Sequence, residues 1–172
     1  MTLRDKIKMY WKVVGACLVS IASGVYFGAM VNPQPPVPDP VALSISITGA
    51  KDAVLLADYV RIVNGYKITV LKGFKFDGAS IPDGLAGPLG LTRFSPSVIA
   101  GALLHDALYA SEWVPQAVAD SILYACCLQD GTEPHKAKAI WQAVHDCGEV
   151  VWSRHTPESV AKARSFVKVE IK

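Results

Sequence analysis

The sequence is short of net charge: 17 basic side chains oppose 15 acidic ones, and the formal balance is +2. No basic stripe interleaved with aromatics appears, which argues against a nucleic-acid partner. There is no CxxC pair and no Cys/His ladder with zinc spacing, so a structural zinc site is excluded. A Gly-x-Ser-x-Gly elbow and a Walker loop are both absent, and with them any support for the serine-hydrolase and NTPase classes. No internal repeat is found. The chain has four cysteines, and they leave two readings open. Cys126 or Cys127 could bridge Cys147 in an oxidising compartment, or these thiols fill a helix interface as small apolar groups.

Part of the positive charge is concentrated at Arg4, Lys6, Lys8 and Lys12, just before a run without charge from Val13 to Val31. That run approaches the ~20 residues a membrane-spanning helix needs. Trp11 and the Tyr26-Phe27 pair suit its two interfaces, and the basic flank sets the N-terminus in the cytoplasm. Ala29-Met30-Val31 is a poor cleavage site, so the run reads as an uncleaved anchor rather than a signal peptide. Residues 1–12 are then a cytoplasmic flank and 13–31 the anchor. The five prolines between Asn32 and Pro40 make an extended stalk. The expected localisation is a single pass through the inner membrane, with the domain periplasmic, or a virion membrane.

Residues 41–172 read as one globular α+β domain. Leu43, Ile45 and Ile47 alternate with polar residues at strand period. Val54–Val63 and Tyr66–Leu71 flank Asn64-Gly65, the signal for a two-residue hairpin. Asp77–Gly90 reads as a glycine- and proline-rich loop. Helices are expected from Ser95-Pro96 to about Ala110, from Pro115 to Gly131, after Thr132, and from Thr156-Pro157. Val167, Val169 and Ile171 alternate with charge as a last strand returning to the sheet. The expectation is a transmembrane helix followed by a small antiparallel sheet, with its hairpin packed on three to four helices.

His105-Asp106-Ala107-Leu108-Tyr109 places His105 and Tyr109 on one face of the first of these helices. Asp120, on the next helix, has Ala117, Leu123 and Tyr124 around it at helical spacing, so its face should be partly buried. A buried carboxylate needs a partner, and His105 on an antiparallel neighbour is the natural one. This combination suits metal-assisted hydrolysis. It equally describes a His–Asp pair that only locks two helices together. Asp77 and Asp106, with backbone carbonyls of the glycine-rich loop, form an oxygen-only donor set, which favours calcium. His145 borders the apolar stripe near Trp141 and reads as a core or flank histidine. His135 and His155 read as solvated.

The ordered motifs Phe76-Asp77-Gly78-Ala79-Ser80-Ile81-Pro82, His105-Asp106-Ala107-Leu108-Tyr109 and Ala119-Asp120 resemble an uncharacterised family widespread in bacteriophages and prophages. That resemblance covers roughly Lys72 to Gly148 and implies phage origin without an activity. More distantly, His-Asp-x-x-Tyr after a glycine-containing loop, with an Asp on the next helix, resembles the secreted phospholipase A2 superfamily. That resemblance implies His105 as the base that activates water, Asp106 as the calcium carboxylate, Asp120 as the residue that orients His105, and Tyr109 as a supporting donor. Asp77 and Gly78 correspond loosely to the calcium loop. The cysteines that staple those enzymes are missing here, and the interval from His105 to Asp120 is short. The expectation is thus a calcium-dependent ester hydrolase acting on membrane lipid. The alternatives are a non-enzymatic phage membrane or virion component that binds a phage or host envelope protein, and a hydrolase acting in lysis.

Overall fold

The computed structural model describes residues 42–79, 81 and 87–172. Its strands are β1 (Ile45–Gly49), β2 (Asp52–Leu55), β3 (Tyr59–Val63), β4 (Tyr66–Val70) and β5 (Lys75–Phe76). Helices α1 (Pro96–Ser111), α2 (Gln116–Gln129), α3 (Pro134–Trp152) and α4 (Pro157–Arg164) follow, and β6 (Val167–Ile171) closes the chain. The α+β order of strands before helices is as expected, but two parts of that expectation are corrected.

First, there are two three-stranded antiparallel sheets rather than one, ordered β1-β2-β5 and β3-β4-β6. The stretch Val54–Val63 is not one strand. Leu55 exchanges backbone hydrogen bonds with Phe74 and Gly73, while Asp58 accepts from the Lys72 N–H at 2.8 Å. Those bonds break the strand at residues 56–58 and send its two halves to different sheets. The hairpin is as expected: Val63 pairs with Tyr66, and Asn64 and Gly65 both take positive φ (50° and 79°), which a type I′ turn requires. β6 returns to pair with β4 along its whole length.

Second, no helix among the described residues is long and apolar enough to cross a membrane. α1 is apolar but has only 16 residues, against the ~20 a span needs, and α3 has 19 but carries a polar face. The single-pass anchor and the inner-membrane localisation built on it are withdrawn on this finding. The run Val13–Val31, its basic flank and the proline stalk lie outside the described residues.

α1 is buried on nearly every side, as a helix apolar all round must be. Ile99, Leu103, Leu104, Ala107 and Leu108 pack with the core of both sheets, including Leu55, Tyr59, Ile68 and Val70. Val98 and Ala102 face a second cluster with Leu123, Cys127, Ala137, Ile140 and Val144 from α2 and α3. Gly101 permits close approach, because a Cβ there would lie 3.0 Å from that of Cys126. Cys126 and Cys127 are free, buried thiols, each pushed up to about 12 chiefly by burial. Of the two readings of the cysteines, interface packing therefore holds for this pair.

Arg61 of β3, only 5% exposed, ties the hairpin sheet to the end of α2. Its guanidinium donates to both Asp130 oxygens at 2.8 Å and to Gln129 at 2.9 Å. Removing one partner of such a pair strands the other charge in a poor solvent. Arg61→Ala is expected to destabilise the fold by about 3 kcal/mol, read from chemical denaturation. A loss under about 1 kcal/mol would show that water rescues Asp130.

Candidate active site

Only residues 112–115 separate α1 from α2, so α2 doubles back beside α1. Glu112 makes the turn by taking a left-handed conformation (φ 49°, ψ 36°), and its N–H caps the Leu108 carbonyl. This fold-back sets Asp120 level with the stretch of α1 between His105 and Tyr109, and both side chains meet it. The His105 Nε2 lies 2.9 Å from Asp120 Oδ1. Tyr109, one turn after His105, donates its hydroxyl to the same oxygen at 2.8 Å, and the two rings lie 4.1 Å apart between centroids, tilted by 37°.

Asp120 is fully buried and, as a carboxylate, can only accept. The proton of His105 is therefore assigned to Nε2, which leaves a lone pair on Nδ1. Asp106 Oδ1 stands 3.8 Å from that nitrogen. His105 and Asp106 line a cleft of about 410 Å³ whose walls are largely apolar: Phe74, Phe76, Ala110, Ala143, Val144 and Val151. Nδ1 thus points to the side where a ligand enters, with Asp120 behind.

Burial is the largest single influence on His105, Asp106 and Tyr109, though not always the net one. On its own it would push His105 down, but the carboxylates of Asp106 and Asp120 outweigh it and raise the imidazole above its ordinary value. Burial lifts Asp106 from 3.8 to about 6; His105 pulls it back, and the neighbouring charge of Asp77 adds to the rise. Burial, then the bond to Asp120, raises Tyr109 and keeps it a phenol donor.

The sequence-derived set is thus brought together in part. His105, Tyr109 and Asp120 form one hydrogen-bonded group, and Asp106 and Asp77 share the cleft. Asp77 is half exposed and 3.4 Å from the Arg93 guanidinium. Gly78 does not line the cleft. Its φ of +77° and the place its Cβ would occupy, 2.8 Å from the Arg93 carbonyl and the Phe94 ring, both demand glycine. No group of three or more His, Cys, Asp or Glu that could hold a metal occurs among the described residues. Residues 80 and 82–86 of the loop lie outside that set. Two carboxylates, those of Asp77 and Asp106, face one cleft, and oxygen donors are the type that suits a hard cation. A cation there would have to draw Asp77 away from Arg93.

Two histidines depart from the sequence expectation. His155 is not solvated: it is mostly buried, its Nδ1 is 2.9 Å from Glu112, and it lines the far end of the same cleft. His145, half exposed, sits at 3.4 Å from Asp120 Oδ2, so it belongs to the site rather than to its flank. His135 is exposed, as expected. Gly148 matters as well, because a Cβ on it would collide with the Tyr109 hydroxyl. The signal for His145 and Gly148 was their helical spacing with Trp141, which puts all three on one face of α3.

No curated protein and no solved structure matches the chain. One family model does, over residues 53–144, a span that begins in β2 and ends one residue before His145. It contains Asp77, Gly78, His105, Asp106, Tyr109 and Asp120, and it starts earlier than the Lys72 boundary read from the motifs. The uncharacterised family expected from those motifs is thereby established at the level of the domain: the chain belongs to the DUF1353 family of proteins of unknown function.

Proposed function

We propose that the domain is a hydrolase of lipid-like esters in which His105 is the general base. One observation carries the reading. Asp120 Oδ1 accepts from both His105 and Tyr109, and this fixed imidazole opens onto an apolar cleft. A His–Asp pair that served only to lock helices has no need of a ligand-sized cavity on its free side.

The chain's own residues divide the work as follows. The apolar walls take up the hydrocarbon part of the substrate and exclude water from it. His105 Nδ1 accepts a proton from a water molecule as its oxygen attacks the ester carbonyl, and the imidazolium so formed returns the proton to the departing alkoxide. Asp120 holds the tautomer and stabilises the transient positive charge. Tyr109 fixes Asp120 from the other side. Asp106 and Asp77 would hold calcium, which when bound supplies the charge that polarises the carbonyl. The motif resemblance further supports a bacteriophage or prophage origin.

Purified full-length protein, incubated with mixed-chain phosphatidylcholine and with short-chain esters, is expected to release free acid in millimolar calcium and to stop in excess chelator. No release from any ester, with or without calcium, would return the His105–Asp120 pair to a structural role.

A further inference from the structure

We propose that His145 is a positioning residue of this site, a second imidazole that holds Asp120 from the side opposite His105; the idea deepens, and rests on, the hydrolase reading. Asp120 lies at the junction of three helices. Its Oδ1 has two donors, both from α1. Its Oδ2 has no hydrogen bond although it is completely buried. A carboxylate held at one oxygen can still swing about its own side-chain bond, and an orphaned buried oxygen is costly.

The structure brings His145 Nδ1, from α3, to 3.4 Å from that oxygen. A small rotation of the ring would turn this contact into a hydrogen bond. The ring is already steered from outside. It lies parallel to Trp141, at 4.9 Å and 10°, and the Lys138 ammonium sits 3.4 Å from the Trp141 centroid. An imidazole kept in this place donates Nδ1–H to Oδ2 and fixes the carboxylate plane. Oδ1 is then aimed at His105 Nε2. Solvent reaches His145 but not Asp120, so α3 acts as the outer jaw of a clamp whose inner jaw is α1. The family match ends at Val144, inside α3, so His145 stands one residue beyond it.

Two substitutions separate donation from packing. His145→Phe keeps a ring on Trp141 but has no donor. His145→Asn places an amide N–H near the Nδ1 position without the ring. Expected for His145→Phe is a kcat at least tenfold lower, with KM within twofold of wild type, while His145→Asn recovers most of that loss. A second readout needs no substrate. The His105 Nε2–H proton should appear as a slowly exchanging imidazole resonance in wild type and His145→Asn, and broaden or vanish in His145→Phe. An unchanged resonance and kcat in His145→Phe would overturn the proposal, as would an Asn variant as defective, or as poorly folded, as the Phe variant. If wild type hydrolyses no ester, the hydrolase reading fails on its own, and the imidazole resonance still decides whether His145 holds Asp120.

Discussion

His105→Ala is expected to lower kcat/KM for ester hydrolysis by roughly 10²–10⁴-fold, the range for loss of a positioned general base. The fold should largely survive. His105 stands at the wall of the cleft, so its removal enlarges an existing cavity instead of opening a sealed one. Tyr109 continues to donate to Asp120 Oδ1. The stability cost should then be that of one lost bond to a charged group, about 1.5–3 kcal/mol. His105→Gln, which restores a donor to Asp120 but no base, should recover much of that stability and none of the rate. Steady-state kinetics beside thermal denaturation separates the two quantities. Were His105→Gln to regain activity along with stability, the imidazole would be a strut and the base would lie elsewhere.

The parts of the site that were legible in the sequence are those that depend on one helix hairpin. His105, Tyr109 and Asp120 follow from helical periodicity and a short turn, because the fold-back brings Asp120 level with the face that His105 and Tyr109 share one turn apart. The hairpin Asn64-Gly65 and the final strand were legible for the same reason: each rests on local chemistry and a period of two. What was not legible depends on elements that meet from far apart. Nothing local says that Val54–Val63 must break, since the break is imposed by bonds from residues 72–74. The approach of α3 to Asp120 is likewise a packing outcome, so His145 looked like one more border residue of an amphipathic stripe. His155 owes its burial to Glu112, a partner 43 positions away. The membrane expectation fell for a different reason. It rested on a charge-free run with its basic flank and aromatics, all outside the described residues, and the helices that are described are too short or too amphipathic to carry it.

Asp106→Asn is expected to make the protein more stable and inactive at once, a combination that distinguishes a working carboxylate from a structural one. In the folded state burial raises Asp106 from 3.8 to about 6. A raised folded value means that the stability of the protonated form is fully present below about pH 4 and is lost as pH rises through 6. At pH 8 the ionised group therefore weighs against folding by about 2–3 kcal/mol, because each tenfold change in proton affinity is worth about 1.4 kcal/mol. Asparagine never ionises and avoids that cost. Without calcium, the variant's melting temperature should exceed that of wild type by several degrees at pH 8, and the gap should close toward pH 4. Calcium at a hundred times the wild-type Kd should close most of that gap, because a ligand that binds only the folded state then stabilises it by about 2.7 kcal/mol. Wild type should gain that increment. The variant, lacking a charged ligand, should bind on the order of 100-fold more weakly and gain little. Calorimetric titration gives the calcium affinities, and melting curves at both pH values give the stabilities. A variant less stable than wild type at pH 8 would mean that Asp106 is held by its neighbours rather than opposed by them, and an equal calcium shift in both proteins would remove Asp106 from the metal site.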